Sequence, residues 1–432
     1  MKSRNEIESG PGLPQTLADE LDGIVTEFSN WVKQLGSKVQ HMAAEPDVTQ
    51  LETDLREGGR VILLKLMQRM LQSAISGQQE STRICPQCQG RRRHQGVRPR
   101  NLLSGFGSLT IQGVYWRCPY CGTCGHSADA LMTSSMSQLM RGLVCLLGVS
   151  LASFDKAELV ARRILGVEVD DDTIRRLCQK EGWEAVRQQD HPPEPVIEGE
   201  QLLGSCDGTS VNTRETGWRE LKAFRFEHAG GRYGGAYLER VAQFVPQMVT
   251  ATHRLKAGQA GRRIFLSDMA DWITGAVARD LSDWHHIADY WHACQHFFLP
   301  GETLYGKDDP RAGKWSRYWC RRLRMYGAKV VDDRLYSIAL HYTDLQHQRA
   351  VLDLAAFLRR HADRMDYPAY EQKGWTISSG PMESFCKQLG QRMKGPGMRW
   401  SVKNVSPMAS LVSRWSLDAE RCSLFGVVPC AN

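Results

Sequence analysis

Gln201-Leu-Leu-Gly-Ser-Cys-Asp207 is a short, mostly apolar run that stops on a carboxylate, and Arg263-Ile-Phe-Leu-Ser-Asp268 repeats that plan 61 positions later. Runs of this length read as buried strands. Between them, Trp218-Arg-Glu-Leu-Lys-Ala-Phe-Arg-Phe226 alternates as a second strand, and Ala236-Tyr-Leu-Glu-Arg-Val-Ala-Gln-Phe244 offers a third. Antiparallel strands followed by a return strand bring the two acids together at one end of a sheet. A third acid, Glu383, stands in Ser379-Gly-Pro-Met-Glu383-Ser, where Pro381 suits the first turn of a helix.

This order of elements is that of a ribonuclease-H-like α/β core. Breaking a phosphodiester, or attacking one with a DNA 3′-hydroxyl, needs a charge clamp on the entering and leaving oxygens. Two Mg²⁺ ions about 4 Å apart provide it. Such hard ions take oxygen ligands, so Asp and Glu are the right residue types. The expected arrangement has Asp207 bridging both ions, Asp268 holding one and Glu383 the other, with Mn²⁺ able to substitute. A single Asp is more often a helix cap or a surface charge; three acids at element ends weigh against that reading.

Further motifs follow in order: Asp207-Gly-Thr-Ser-Val211, Trp218-Arg-Glu-Leu-Lys222, Asp268-Met-Ala-Asp-Trp-Ile273, Ile287-Ala-Asp-Tyr-Trp-His292-Ala-Cys-Gln-His296, Ser379-Gly-Pro-Met-Glu383-Ser-Phe-Cys-Lys387, Arg392-Met-Lys394 and Gly397-Met-Arg-Trp400. Over roughly the last 230 residues the chain resembles the DDE transposases of bacterial insertion sequences, in particular the Kra-type group related to mutator-like transposases. The resemblance implies an acid triad at Asp207, Asp268 and Glu383. It also implies that Asp289 and His292 support the site without ligating metal. The family pattern favours Gly after the second acid, where this chain has Met269, and Asp271 is a nearby rival to Asp268.

From Asp268 to Glu383 is 115 positions, too far for a single crossover in a compact core. A helical insertion over 297–374 accounts for the excess. It carries Trp315, Tyr318, Trp319 and a basic cluster that includes Arg321 and Arg322, an interleaving suited to stacking on an unpaired base beside phosphates. The plainer reading makes the tryptophans helix-packing core. After Glu383, Lys387 lies one helical turn on, while Arg392, Lys394 and Arg399 are expected beyond the helix end; all are candidates for DNA phosphates.

The N-terminal half differs. Residues 14–78 carry apolar residues at helical spacing, such as Val61, Leu64 and Met67, and read as a packing or dimerising helix pair. Cys85-Pro-Gln-Cys88 and Cys118-Pro-Tyr-Cys121, separated by a strand-like Thr110-Ile-Gln-Gly-Val-Tyr-Trp116, match a four-thiolate zinc ribbon. Cys124 and His126 are alternative ligands. Arg91, Arg92 and Arg93, between the knuckles, are candidates for DNA contact. From Ala157 through Gly166 to Asp172-Thr-Ile-Arg175-Arg176 the pattern is a helix-turn-helix or an ordinary helical hairpin; the former offers Arg175 and Arg176 to a major groove. His191-Pro-Pro-Glu-Pro195 marks a linker.

The 432 residues carry 55 basic and 48 acidic side chains, net +7, so clustering matters more than the total. The N-terminal octapeptide lacks the apolar stretch of a signal peptide, and no apolar run reaches the roughly eighteen residues of a membrane helix. Scattered cysteines fit a reducing compartment. The expected architecture is multidomain α+β: a helical N-terminal region (1–80), zinc ribbon (81–128), helix-turn-helix-like segment (129–190), linker (191–199), core (200–296), helical insertion (297–374), and the rest of the core with its Glu helix and tail (375–432). The implied protein is a bacterial cytoplasmic, nucleoid-associated transposase. It would bind terminal inverted repeats and target double-stranded DNA as a homodimer or larger assembly, without a membrane. The alternatives are a structure-specific nuclease of the same fold, or a domesticated DNA-binding protein without catalysis.

Overall fold

The computed structural model describes residues 15–41, 47–77, 84–187 and 194–417. The N-terminal octapeptide, residues 191–193 of the linker and the tail after 417 lie outside the described residues. Contacts divide the chain into two compact units. Among the described residues, the first takes those up to Leu147 and Phe154–Ile174; the second takes Gly148–Ser153 and those from 175 to 417.

The first unit opens with two long helices, α1 (Gln15–His41) and α2 (Val48–Gly77), as the helical spacing predicts. Surface ion pairs Lys38–Asp54 and Lys65–Glu27, both 2.7 Å, tie them into a hairpin. The strands β1 (Arg93–Ser104) and β2 (Gly107–Arg117) form an antiparallel ribbon, and β3 (Cys124–His126) adds to the far end of β2. The helix α2 seals this ribbon in two ways. Leu64, Met67, Leu71 and Ile75 pack on Leu102, Leu109 and Ile111. Gln72 also bonds the Gln112 backbone at both N–H (2.9 Å) and C=O (2.8 Å), occupying an edge that would otherwise be open to another strand.

Next come α3 (Gln138–Ser150), α4 (Phe154–Val160), one π turn (Ala161–Leu165) ending on Gly166 at φ 62°, and α5 (Asp171–Arg187). Asp170 caps α5 by accepting from the Thr173 N–H at 2.7 Å. The two-helix outline agrees with the sequence, and the left-handed turn falls on the glycine that tolerates it.

The second unit is built on a mixed five-stranded sheet of order β6-β5-β4-β7-β8. Its strands are β4 (Gln201–Thr213), β5 (Gly217–His228), β6 (Gly231–Tyr237), β7 (Arg262–Ser267) and β8 (His285–Ala288). The first three pair antiparallel with one another; β7 and β8 run parallel to β4. One face is covered by α6 (Val241–Arg254) and α7 (Asp271–Asp280), with Phe224, Phe226, Phe244, Phe265 and Trp284 in its core. Gly204 is needed at that face: a Cβ there would stand 2.8–3.0 Å from the Phe265, Phe226 and Trp284 rings.

Past β8 come α8 (Tyr290–Gln295), α9 (Phe298–Tyr305), α10 (Pro310–Ala339, broken at Gly327), α11 (Leu345–Arg360), α12 (Tyr367–Gln372), α13 (Gly380–Met393) and α14 (Val402–Leu417). The 297–374 segment is mainly helical. It nevertheless shares its core with the sheet: Leu323, Val331, Leu335, Leu354 and Leu358 pack in one cluster with Ile264, Leu266 and Ile287. Trp319 is buried in that cluster and Trp315 packs against it, so the plainer reading of the tryptophans holds.

Two strand expectations need correction. The third strand is not 236–244 but Gly231–Tyr237, because a tight turn at Ala229-Gly230 starts it early and Val241, Phe244, Val245 and Met248 then follow helical spacing. Also, β4 does not stop at Asp207. It runs six residues further on hydrogen bonds to β5, while its pairing with β7 ends at Ser205 opposite Leu266.

Candidate functional site

That end of pairing positions the first two acids. Ser205 lies opposite Leu266 across parallel strands, and two residues further along each chain are Asp207 and Asp268, where β4 and β7 part. Burial pushes the Asp207 carboxyl above its ordinary range. The Gly208 N–H, 2.7 Å away, offsets part of this, the Asp268 charge adds to it, and His292 and the Cys386 thiol temper it. Asp268 accepts from the Ala270 N–H at 3.0 Å. Between them Met269 sits at φ 68°, the left-handed region, which explains in this chain why a glycine would be at ease there. Asp271 is exposed at the start of α7, away from the strand end, whereas Asp268 is half-buried.

The helix α13 supplies the other side. Glu383 lies in its first turn and is exposed, with Lys387 at 3.1 Å in an i,i+4 pair. One turn after Glu383, the Cys386 thiol hydrogen-bonds Asp207, and burial together with the Asp207 charge pushes that thiol well up. Cys206, fully buried on the opposite face of β4, is pushed up for the same reasons. Both thiols therefore stay protonated beside the carboxylates. Neither stood out in the sequence; the only available signal was the helical spacing of Cys386 from Glu383.

Asp289 is 2 % exposed and accepts three hydrogen bonds: His292 N–H at 2.8 Å, capping α8, then Ser379 N–H at 2.5 Å and Ser379 Oγ at 2.9 Å. One carboxylate thus fixes both the His292 helix and the entry to α13. Arg225 donates to the Pro381 carbonyl at 3.1 Å and holds the same turn from β5. Asp289→Ala strands buried donors, each costing ~1–3 kcal/mol. The expected loss is about 3 kcal/mol, read as a lower urea midpoint; a change within about 0.5 kcal/mol would remove this role.

The basic candidates separate. Lys394 caps the end of α13 and reaches Thr209 Oγ1 at 3.4 Å, two residues beyond Asp207. Arg399 is exposed. Arg392 does not lie past the helix: it is inside α13 and 3 % exposed, with its guanidinium on the Gly148 carbonyl at 2.5 Å and over the Trp400 ring. Burial lowers it to about 10. The apolar stripe of α13 carries this arginine inward, so its assignment to phosphate is corrected. Arg321 is exposed, and Arg322 stacks between Tyr318 (5.0 Å) and Tyr326 (5.3 Å). Arg176 is exposed on α5, while Arg175 is half-buried and bonded to Gln179 at 3.1 Å. Arg91 and Arg93 are exposed and Arg92 is half-buried.

The four cysteines converge. The sulfurs of Cys85, Cys88, Cys118 and Cys121 all lie within 4.8 Å of one another, and among the described residues this is the one cluster of three or more metal-ligating side chains so close. Cys85–Cys121 is 3.5 Å and Cys88–Cys118 is 3.4 Å. A tetrahedral site with Zn–S about 2.3 Å requires about 3.8 Å between sulfurs, so these residues fit a structural zinc. The two knuckles are built alike. The Cys85 carbonyl accepts from Gln89 N–H and the Cys118 carbonyl from Gly122 N–H, and Gln89 (φ 59°) and Gly122 (φ 73°) both take the left-handed turn. Burial pushes the Cys85 thiol up, but the N–H groups of Cys88 and Gln87 outweigh it and bring it to about 6. His126 has both ring nitrogens engaged, Nε2 with the Arg98 carbonyl and Nδ1 with the Ala128 N–H, and Cys124 turns to the Gly122 carbonyl. Neither completes the cluster.

No family model matches the chain, and no curated protein matches it. Among solved structures, the Drosophila P element transposase strand transfer complex aligns at 8% identity with a TM-score of 0.33, covering 66% of this chain and 94% of that one. Among the described residues no helix is long and apolar enough to cross a membrane.

Proposed function

We propose that this chain is a transposase that cuts and rejoins double-stranded DNA at one carboxylate site, with a ribonuclease-H-like core over 200–296 and 375–417 and helices inserted over 297–374. The observation that carries the reading is the placing of Asp207 and Asp268 two residues beyond the last paired position of two parallel strands, with the helix whose first turn bears Glu383 bringing Cys386 against Asp207. The sheet order, three antiparallel strands followed by two parallel ones, is the order such a core has.

The donor set fits hard divalent ions. Asp207 is a partly buried carboxylate that burial and a neighbouring acid make costly to ionise, and a cation relieves that cost. Asp207, Asp268 and Glu383 would hold two Mg²⁺, or Mn²⁺ in their place. Bound there, the ions supply charge to the entering and leaving oxygens of the phosphodiester. Glu383 pairs with Lys387 at 3.1 Å. The protein's own work is positional: Cys386 orients Asp207, Asp289 fixes the turn into α13, and Lys394 brings a positive charge beside β4 for a phosphate. Arg91, Arg93, Arg176, Arg321 and Arg399 are exposed and suited to the DNA backbone.

The raised Asp207 carboxyl has a consequence for the metal-free protein. A carboxyl whose folded pKa is raised contributes stability fully present below its unfolded value, about 3.9, and lost as pH rises through the folded value. Asp207→Asn therefore raises Tm at pH 7 in chelator, and the advantage shrinks below about pH 4. An unchanged Tm at pH 7 would contradict it. The function itself is tested by incubating the protein and Mg²⁺ with a duplex ending in the inverted repeats that flank its gene, plus a plasmid target. Joined product supports a transposase; cleavage without joining supports a nuclease; neither, with binding retained, supports a DNA-binding protein only.

A further inference from the structure

Beyond Ser205, β7 no longer covers its edge of β4, and further along that edge Trp400 takes its place opposite Thr213. The Trp400 N–H donates to the Asn212 carbonyl at 3.0 Å, and the Arg214 N–H donates to the Trp400 carbonyl at 2.8 Å. The indole is used as well. Its Nε1–H donates at 3.0 Å to the carbonyl of Met393, the last residue of α13, and the Arg392 guanidinium lies 5.3 Å from its ring centroid. One side-chain bond thus closes the loop Lys394-Gly-Pro-Gly-Met-Arg399 end to end. Inside it the Met398 N–H donates to the Gly395 carbonyl at 3.0 Å, and Gly397 turns at φ 72°, where a side chain would be strained. On the far side of Trp400, Glu215 in the turn between β4 and β5 accepts from the Val402 N–H at 3.0 Å.

The loop stands on the acids' side of the sheet. Side chains alternate along a strand, so Asp207 and Thr209 project from one face of β4; Cys386 of α13 meets the first, and Lys394 Nζ donates to the Thr209 Oγ1 at 3.4 Å. Lys394 and Arg399 are both exposed, and no acid lies between them in the chain. A DNA strand drawn to a cluster of carboxylates needs fixed positive charge beside it, and a slack loop would have to be ordered at the moment of binding, at a cost in affinity. Trp400 orders it beforehand. We propose that Trp400 is a positioning residue: by stapling this loop to β4 and to the end of α13 it presents Lys394 and Arg399 to two phosphates of the DNA strand that lies at Asp207. The inference rests on the carboxylate-site reading above and adds to it how the strand is held.

The test measures affinity of the full zinc-loaded chain for the inverted-repeat duplex by fluorescence anisotropy, in Ca²⁺, over a range of salt. Each phosphate contact steepens the fall of log affinity with log salt by about 0.9, so Lys394→Gln and Arg399→Gln should each reduce the slope by that amount and together by about 1.8. Trp400→Phe keeps a ring for Arg392 and the backbone bonds to β4 but removes the indole donor. It should reduce the slope about as much as the pair does, although both cations remain. Gly397→Ala, strained by its positive φ while its Cβ would meet nothing within 4 Å, should do the same with Trp400 in place. On the Lys394→Gln, Arg399→Gln background, Trp400→Phe should change the slope no further. A wild-type slope in Trp400→Phe, or a further fall on that background, overturns the positioning role even if the variant melts earlier. A wild type that does not bind the duplex overturns the proposed function together with it, so the two failures are told apart.

Discussion

Asp207→Ala is expected to eliminate both the DNA cleavage and the joining proposed for this chain while leaving the fold intact. The side chain is the one carboxylate on β4 at the point where β7 diverges, and it is the acid that burial and Asp268 together perturb. Because Asp207 is a proposed metal ligand, its loss would remove several kcal/mol of transition-state charge stabilisation, and about 4 kcal/mol corresponds to a ~10³-fold loss of rate. Asp268→Ala and Glu383→Ala are expected to lose at least as much as can be detected. Circular dichroism should be unchanged, because Asp207 is only partly buried and its removal relieves an unfavourable charge. Gel-shift affinity should also hold, since the exposed arginines that suit the DNA backbone lie elsewhere in the chain. Retention of more than about a tenth of wild-type joining by Asp207→Ala would exclude it from the chemistry.

Zinc removal is expected to have the second largest effect. Structural zinc in small domains contributes about 10 kcal/mol or more of apparent folding free energy at neutral pH. The ribbon here has a modest core of its own, five buried residues (Leu102, Leu109, Ile111, Ala128 and Met132) with Leu64, Met67, Leu71 and Ile75 of α2 against them. Cys85→Ser, or a strong chelator, should therefore unfold the β1–β2 ribbon and abolish whatever DNA affinity Arg91 and Arg93 provide. The sheet of the second unit has two large cores and no cysteine of this cluster, so it should keep its own melting transition. Metal analysis should give one zinc per chain in wild type and none in Cys85→Ser. A full complement of β structure in the chelated ribbon would contradict this.

Much of this was legible in the sequence because the chemistry sits at the ends of short apolar runs. Leu202 and Phe265 are buried as strand residues should be, and each of their strands leads to an acid. The paired cysteines were legible because tetrahedral thiolate chemistry imposes a spacing. What was not legible depends on partners distant in the chain. The length of β4 beyond Asp207 is set by β5 rather than by its own residues, and β8 is a four-residue strand too short to carry a periodic signal. Arg392 looked like a surface cation because charge alone was read; its place on α13, between buried Leu389 and Met393, turns it inward. The Asp289–Ser379 bond, which ties α8 to α13 across 90 positions, has no local signature.

The most direct measurement of the central claim is a joining reaction supplied with pre-cut 3′-hydroxyl ends, run with Mg²⁺, with Ca²⁺, and with Mg²⁺ on the Asp268→Ala and Glu383→Ala proteins. The account predicts joined product only for wild type with Mg²⁺, with all four samples binding the ends equally. Joining by either acid variant at the wild-type rate, or in Ca²⁺ alone, would contradict a carboxylate site built from Asp207, Asp268 and Glu383.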